Sequence, residues 1–379
     1  MDFKLTEEQE LIRKNIREFC VKHVDPIAAE IDEKEIHPAD LFKKLAEGGW
    51  MGIPIPTQWG GSGSDYLTNA IVVEELSRSC SSTGFTVSIH VGIACMLINL
   101  LGNEDQKKKY LVPLATGQHM GAFVLTEPGA GTDVMAATTT AAKDGDFYVI
   151  NGTKTFISNG PLADTYLVFC WTDKAAGRKG MSSFIIPKGT AGLKPGEHFH
   201  KMGLRSSQTS EVVFKDCRVP KANLLGPEGA GLGNAMLGFD HGRVGIAAQG
   251  VGILQAALDE SIRYSKERVQ MGTPIARHQA IAWMIADMAT DLQAARWLTY
   301  HAAWLKDQGK PFSKEASMAK LYASEKAMHH TIKAVQIHGG YGYIKGAKVE
   351  RIMRDAKILE IYEGSSEAQR MVISGTVLR

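Results

Sequence analysis

The chain has 379 residues, 44% of them hydrophobic and 22% charged, which is too long for one small core and too apolar for extended disorder. Forty-three Lys and Arg against 41 Asp and Glu leave a formal charge of +2, so no overall field draws nucleic acid or an acidic membrane to the surface. Five cysteines, widely spaced, odd in number and without a C-x-x-C pair, read as buried free thiols and argue against disulfide, metal or redox chemistry.

The N-terminus, "MDFKLTEEQE", lacks a charged segment followed by an apolar stretch, and no run of 18 apolar residues follows anywhere. No membrane insertion is expected. The cytoplasm is the expected location, with the mitochondrial matrix, after loss of a transit peptide, as the alternative. Thr6 and Gln9 have capping-box spacing, and Leu11, Ile12, Ile16, Phe19 and Cys20 repeat at helical intervals, which predicts a helix to about Val24. "PADLFKKLAEGGW", "LTNAIVVEELSRSC" and "EDQKKKYLVPLATG" carry the same period and end at Gly or Ser-rich breakers, so residues 1–118 read as a helical domain.

The pattern then changes. "GAFVLT", "DFYVING", "KTFIS", "TYLVFCW", "MSSFIIP" and "EVVFKD" are short, rich in β-branched and aromatic residues, and separated by turn formers, which predicts a compact β domain within 119–230. No helices alternate with these strands, so a doubly wound parallel sheet is disfavoured. From 231 to 379 the helical period returns: Ile281, Met284, Ile285, Met288, Leu292 and Ala295 form one stripe, and Ala316, Ala319, Ala323 and Ala327 form a small-residue stripe that lets helices approach closely.

Standard nucleotide, metalloprotease and hydrolase motifs are absent, and "GGYGYIKG" has its last glycine one place late for a dinucleotide fingerprint and follows a helical pattern. His329, His330 and His338 read as ordinary helix residues, with no metal implied. Four stretches are poorly explained by packing. "LTEPGAGTD" (125–133) offers backbone N–H groups and hydroxyls at a strand end, suited to an anion or a ring carbonyl. "QIHGGYGY" (336–343) reads equally as a helix C-cap and as a close approach to a ligand. "FDHGR" (239–243) sets Asp240 and Arg243 one turn apart, where an i,i+3 ion pair is the plain alternative. "IYEGSSEAQR" (361–370) places Glu363 between an aromatic and a glycine, a surface charge unless something encloses it.

Together with "KTFISNG", "MGLRSSQT", "ERVQMGTPIARHQ" and "RDAKILEIYEG", in this order and over nearly the whole chain, these stretches make the sequence resemble the flavin-dependent acyl-CoA dehydrogenases, nearest to bacterial short-chain, butyryl-type members. The resemblance implies a mainly α fold with a central β domain: an N-terminal helical domain, a middle β-barrel-like domain and a C-terminal four-helix bundle. It also implies FAD between the last two. Phe123, Leu125, Thr126, Thr132, Phe156 and Ser158 match positions around the flavin, although Phe156 and Ser158 stand where the family usually has Trp and Thr. Arg268, Gln270, Met271, His278, Gln279, Gln336, Gly339 and Gly340 match the adenine and pyrophosphate end, partly from a neighbouring subunit, with Met271 where an aromatic is common. Ser365 and Glu367 match further cofactor contacts.

By the same resemblance Glu363 is the base that removes the α proton of an acyl-CoA thioester while β hydride leaves for the flavin. Tyr362 walls the pocket, Gly364 leaves room for the thioester, and Thr132, Asp240 and Arg243 contact the CoA moiety. Some family members carry the base on the helix containing "FDHGR"; here that place is Gly242. An electron-transferring flavoprotein as acceptor and a homotetramer built as a dimer of dimers are implied as well. An acyl-CoA oxidase, an enoyl-CoA reductase on the same fold, and a non-enzymatic acyl-CoA-binding scaffold remain as alternatives.

Overall fold

In the computed structural model, which describes residues 4–379, the first helix α1 (Glu7–Phe19) starts where the capping box predicts. The Gln9 N–H donates to the Thr6 hydroxyl at 3.2 Å, and the Thr6 N–H donates to the Gln9 side chain at 3.0 Å. A wider π-type turn over Cys20–Val24 carries the helix on to its expected end. Then come α2 (Ala28–Lys34), α3 (Ala39–Glu47), α4 (Tyr66–Ser79), α5 (Ser81–Ile89), α6 (Met96–Leu101), α7 (Glu104–Gln106) and α8 (Val112–Ala115).

A π-type turn, His90–Cys95, joins α5 to α6, so residues 81–101 form one buried rod. By length and composition Ser81–Leu101 could cross a membrane, but 83% of its most apolar window is buried inside the protein. Its Ser, Thr and Gly residues interrupt the literal apolar string while leaving the average hydropathy high.

Seven strands form the central sheet: β1 (Gly121–Val124), β2 (Thr140–Asp144), β3 (Phe147–Ser158), β4 (Thr165–Trp171), β5 (Met181–Pro187), β6 (Leu193–Pro195) and β7 (Thr209–Pro220), ordered β1-β4-β2-β3-β7-β6 with β5 also on β4. Most pairs are antiparallel, but β1 runs parallel to β4, as does β2 at its single pairing with it. The segments "DFYVING" and "KTFIS" are one twelve-residue strand rather than two, because the Gly152 turn signal is absorbed as an irregularity in the ladder with β7. A second slip between Lys154 and Ile157 turns Phe156 left-handed (φ 56°) and sets its ring outward, 67% exposed. Bulges commonly re-aim a side chain in this way.

The C-terminal part opens with α9 (Gly231–Glu267), about 55 Å long at 1.5 Å per residue. A small hairpin, β8 (Val269–Gln270) and β9 (Thr273–Pro274), leads to α10 (Gln279–Asp307), α11 (Ser313–His338), α12 (Lys348–Lys357) and α13 (Ser366–Val377). The four alanines of the α11 stripe are fully buried; on α10, Met288, Leu292 and Ala295 are buried while Ile281, Met284 and Ile285 only pack against the core edge. One apolar cluster joins Phe85 and Ile93, Phe123 and Phe169 of the sheet, Val244 and Val251 of α9, and Ala323 of α11, so helices and sheet share one interior. All five cysteines are free and buried.

Candidate active site

Glu363 lies in the short turn between α12 and α13, where two successive left-handed residues, Glu363 (φ 52°) and Gly364 (φ 87°), reverse the chain. Such a conformation is costly for a glutamate and persists only where its surroundings fix it. Gln369 does part of this: its buried side-chain amide donates to the Glu363 carbonyl at 3.1 Å and to the Gly364 carbonyl at 2.8 Å. Lys320 of α11 donates to the same Gly364 carbonyl at 2.7 Å. A Cβ at Gly364 would meet the Gln369 amide at 2.7 Å, so this glycine serves the turn and its clamp.

The residue keeps some surface, but Oε2 is enclosed and has no hydrogen-bond partner. Burial raises the carboxyl to about 7, against the opposing pull of Arg243 and Lys320. Across from it stands Gly242 of α9: a Cβ there would lie 2.7 Å from Oε2 and 2.8 Å from Cδ1 of Ile93. The carboxylate therefore packs against the bare backbone of Gly242, an approach that any side chain there would obstruct. Tyr362 stacks on Phe85 with ring centroids 4.7 Å apart and donates to Oε1 of Gln249 at 2.5 Å, forming one wall. Asp240 and Arg243 form the plain i,i+3 pair at 2.7 Å, yet Arg243 is buried and its Nε is unpartnered.

The two stretches expected at the flavin are adjacent, because the Thr155 N–H donates to the Thr126 carbonyl at 2.9 Å. "LTEPGAGTD" closes as a tight turn through reciprocal Glu127–Ala130 backbone bonds of 3.1 and 3.0 Å. Glu127 is buried and accepts from Lys154 at 2.9 Å and from the hydroxyl and N–H of Thr138, each at 2.7 Å. Burial alone would raise its carboxyl, but Lys154 and the donors of Thr138 and Thr139 hold it down at about 2. Lys154 also donates to the Leu125 carbonyl at 2.8 Å, so the turn is pinned from within. Phe123 and Leu125 are buried, Thr126 and Ser158 half-buried, and Phe156 and Thr132 exposed, which leaves an aromatic face and hydroxyls along one open edge.

A cavity of about 590 Å³ lies elsewhere, walled by Arg268, Gln270, His278, Gly339 and Gly340 together with Tyr264, Ile337, His338, Tyr341 and Ile344 among others. This is within the usual size of a small-molecule site. The Arg268 guanidinium sits 5.7 Å from the Tyr341 ring centroid. A fork of donors beside bare glycine backbone and an aromatic face suits a dinucleotide's phosphates and base, so these residues fit the FAD that the resemblance implies.

Gln279 and Gln336 do not line this cavity. Met271 stands at the hairpin tip, 95% exposed and left-handed. The Ser365 hydroxyl caps α13, accepting from the Ala368 N–H at 3.4 Å, and Glu367 is exposed in that helix's first turn.

Sequence reasoning missed Tyr341 as a cavity wall, Gln369, and Lys320. The signal for Lys320 was present: it falls four residues after Ala316 and three before Ala323, a lone cation on the buried face of α11. For Gln369 there was none, since one glutamine in "SEAQR" looks like any solvated helix residue.

Comparison with known proteins adds the following. Residues 6–118, 122–217 and 229–378 match the N-terminal, middle and C-terminal domains of acyl-CoA dehydrogenases. A short-chain specific acyl-CoA dehydrogenase of Clostridium acetobutylicum is 52% identical over 379 residues, covering 100% of both chains. An acryloyl-CoA reductase (NADH) of Anaerotignum propionicum is 49% identical over 100% of this chain and 96% of its own. The solved butyryl-CoA dehydrogenase of Megasphaera elsdenii superposes with a TM-score of 0.98 at 45% identity, covering 100% of both chains. A chain from the structural study of the electron transferring flavoprotein of Acidaminococcus fermentans superposes with a TM-score of 0.99 at 50% identity, again over 100% of both.

Proposed function

The chain belongs to the acyl-CoA dehydrogenase family, and from that premise we propose that it removes the α and β hydrogens of a short-chain acyl-CoA thioester, giving the trans-2-enoyl-CoA. The observation that carries this reading is the enclosed, unpartnered Oε2 of Glu363 set against the bare backbone of Gly242. Phe123, Thr126, Phe156, Ser158 and the turn after Leu125 would hold the flavin end of FAD, and Arg268, Gln270, His278, Gly339 and Gly340 its pyrophosphate and adenine end. When bound, FAD supplies the acceptor for the hydride that leaves the β carbon.

The chain's own residues then have distinct tasks. Glu363 takes the α proton onto its carboxylate. Near neutrality a group of pKa about 7 exists in both forms, which suits a base that must also give the proton away. The thioester oxygen gains charge as the proton leaves, and the Glu363 N–H, which donates to no acceptor among the described residues, is free to stabilise it. Burial keeps water from the carboxylate and so raises its pKa, and the Tyr362–Phe85 stack forms one wall of the site.

Electrons pass on to an electron-transferring flavoprotein, the partner named with a relative of the same fold. The active form is a homotetramer, a dimer of dimers. The reading is consistent with the cavity around Arg268, which shares no lining residue with the Phe156 edge or the Glu363 turn, as one FAD held between neighbouring copies would need. Exposed Met271, Tyr341 and Tyr343 give that region apolar surface for a second copy.

A second reading is favoured by the reductase at 49% identity: the same residues run in the enoyl-to-acyl direction, with Glu363 returning the α proton. Anaerobic titration of the purified yellow protein with straight, branched and aromatic acyl-CoAs tests the proposal. Bleaching by butyryl-CoA with appearance of its enoyl product is expected; a colourless protein, or a yellow one that no acyl-CoA bleaches, contradicts it.

A further inference from the structure

Lys320 is fully buried on a helix face made largely of alanines and serines, and its ammonium donates to the Gly364 carbonyl at 2.7 Å. An enclosed cation is among the most unfavourable groups a core can contain unless an opposite charge faces it. The carboxylate that opposes it most strongly is Glu363, at longer range than a direct ion pair. Burial lowers the lysine to about 8, opposed chiefly by the Glu363 carboxylate, while Arg243 works in the same direction as burial. Glu360 and Glu325 face the lysine more weakly.

Glu363 has no hydrogen bond to Oε2 that could orient its carboxylate, and its own backbone is left-handed. Its placement therefore depends on what grips the turn. Two side chains from two helices do so at neighbouring carbonyls: Gln369 of α13 on Glu363 and Gly364, and Lys320 of α11 on Gly364. A neutral donor at position 320 would satisfy that carbonyl equally well, so the hydrogen bond alone does not explain a lysine.

From this arrangement we propose that Lys320 is a positioning residue for proton abstraction, clamping the Glu363–Gly364 turn through the Gly364 carbonyl and presenting its charge to the Glu363 carboxylate. The clamp keeps amide and carboxylate of one residue aimed at the same thioester. The charge favours the ionised base in a site whose other cation, Arg243, is already paired with Asp240. The inference rests on the reading of Glu363 as the base.

The test compares Lys320→Met, Lys320→Gln, Lys320→Arg and Glu363→Gln with the wild-type holoenzyme, using butyryl-CoA across the pH range and measuring FAD content and Tm in each. Lys320→Met is expected to keep its FAD and lose kcat by roughly tenfold to a hundredfold, with KM little changed. The acid limb of its kcat/KM profile should move up by about one pH unit, because one of the two charges that favour ionised Glu363 has gone. Lys320→Gln, which keeps a donor but no charge, should show the same shift in the limb with a smaller loss of kcat, and Lys320→Arg should return the limb toward its original place.

If Lys320→Met or Lys320→Gln retains FAD and Tm while its limb stays put and kcat stays within about twofold, the inference is overturned. If neither folds, the lysine is a purely structural element and the inference is overturned as well. Retained turnover in Glu363→Gln overturns the base assignment instead, so the two failures are distinguishable.

Discussion

Gly242 and Glu363 compete for one small volume: a methyl group on the first would stand 2.7 Å from Oε2 of the second. The helix carrying Gly242 is held by the shared core, and the Glu363 turn by Lys320 and Gln369, so neither side can retreat freely. Gly242→Ala is therefore expected to fold, with a stability loss of about 1–3 kcal/mol from overpacking. Its kcat should fall by at least roughly tenfold as the carboxylate is displaced. Urea unfolding and steady-state kinetics check the two parts, and wild-type kcat would mean that the carboxylate works from another position.

The raised carboxyl makes two predictions about pH. Because the base must be ionised, kcat/KM should fall as pH drops through about 7. For stability the sign is opposite. A folded value of about 7 against an ordinary 4.5 means the folded chain holds the proton more tightly, so this group's contribution declines as pH rises through that window. Glu363→Gln cannot ionise, and its Tm advantage over wild type should grow between about pH 5 and 8. A Tm difference that is flat with pH would show that the carboxyl is not buried in solution.

Lys154 and Glu127 form a pair without solvent access, and both tie down the turn that follows β1. Lys154→Met leaves the Glu127 carboxylate uncompensated and should cost about 3–5 kcal/mol. It should also release FAD on dialysis, since Leu125 and Thr126 lose their anchor. Chemical unfolding and the ratio of flavin to protein absorbance are the measurements; a stable variant with full FAD content would contradict the assignment of this turn to the cofactor.

Arg268 projects into the cavity beside Tyr341. Its removal as Arg268→Ala should lower FAD affinity roughly tenfold to a hundredfold, the range for a hydrogen bond to a charged group. FAD titration of the apoprotein reads this directly. If subunits share the cofactor, the same variant should weaken dimerisation in the absence of added FAD less than in its presence, as read by sedimentation.

Much of this architecture was legible beforehand because it rests on local periodicity. Thr6 and Gln9 announced the first helix, the alanines of α11 its buried face, and the β-branched runs the sheet. What failed was non-local. Gly152 looked like a turn between two strands because a glycine reads as a breaker, yet pairing with β7 carries the chain straight through it. The 81–101 rod showed no unbroken apolar string because serines and threonines, buried here among helices, interrupt it. The chemistry at Glu363 could be named from a resemblance, but its enclosure by Gly242, Lys320 and Gln369 joins positions up to about 120 residues apart, and no single-sequence pattern reports such a meeting.

The central claim is that Glu363 removes the α proton, and anaerobic rapid mixing of butyryl-CoA with wild type and Glu363→Gln tests it most directly. Wild type should bleach its flavin and yield enoyl-CoA in step. Glu363→Gln should bind the thioester, seen as a perturbed flavin spectrum, and bleach at least about a hundredfold more slowly. Bleaching of Glu363→Gln at a rate near wild type would contradict the account.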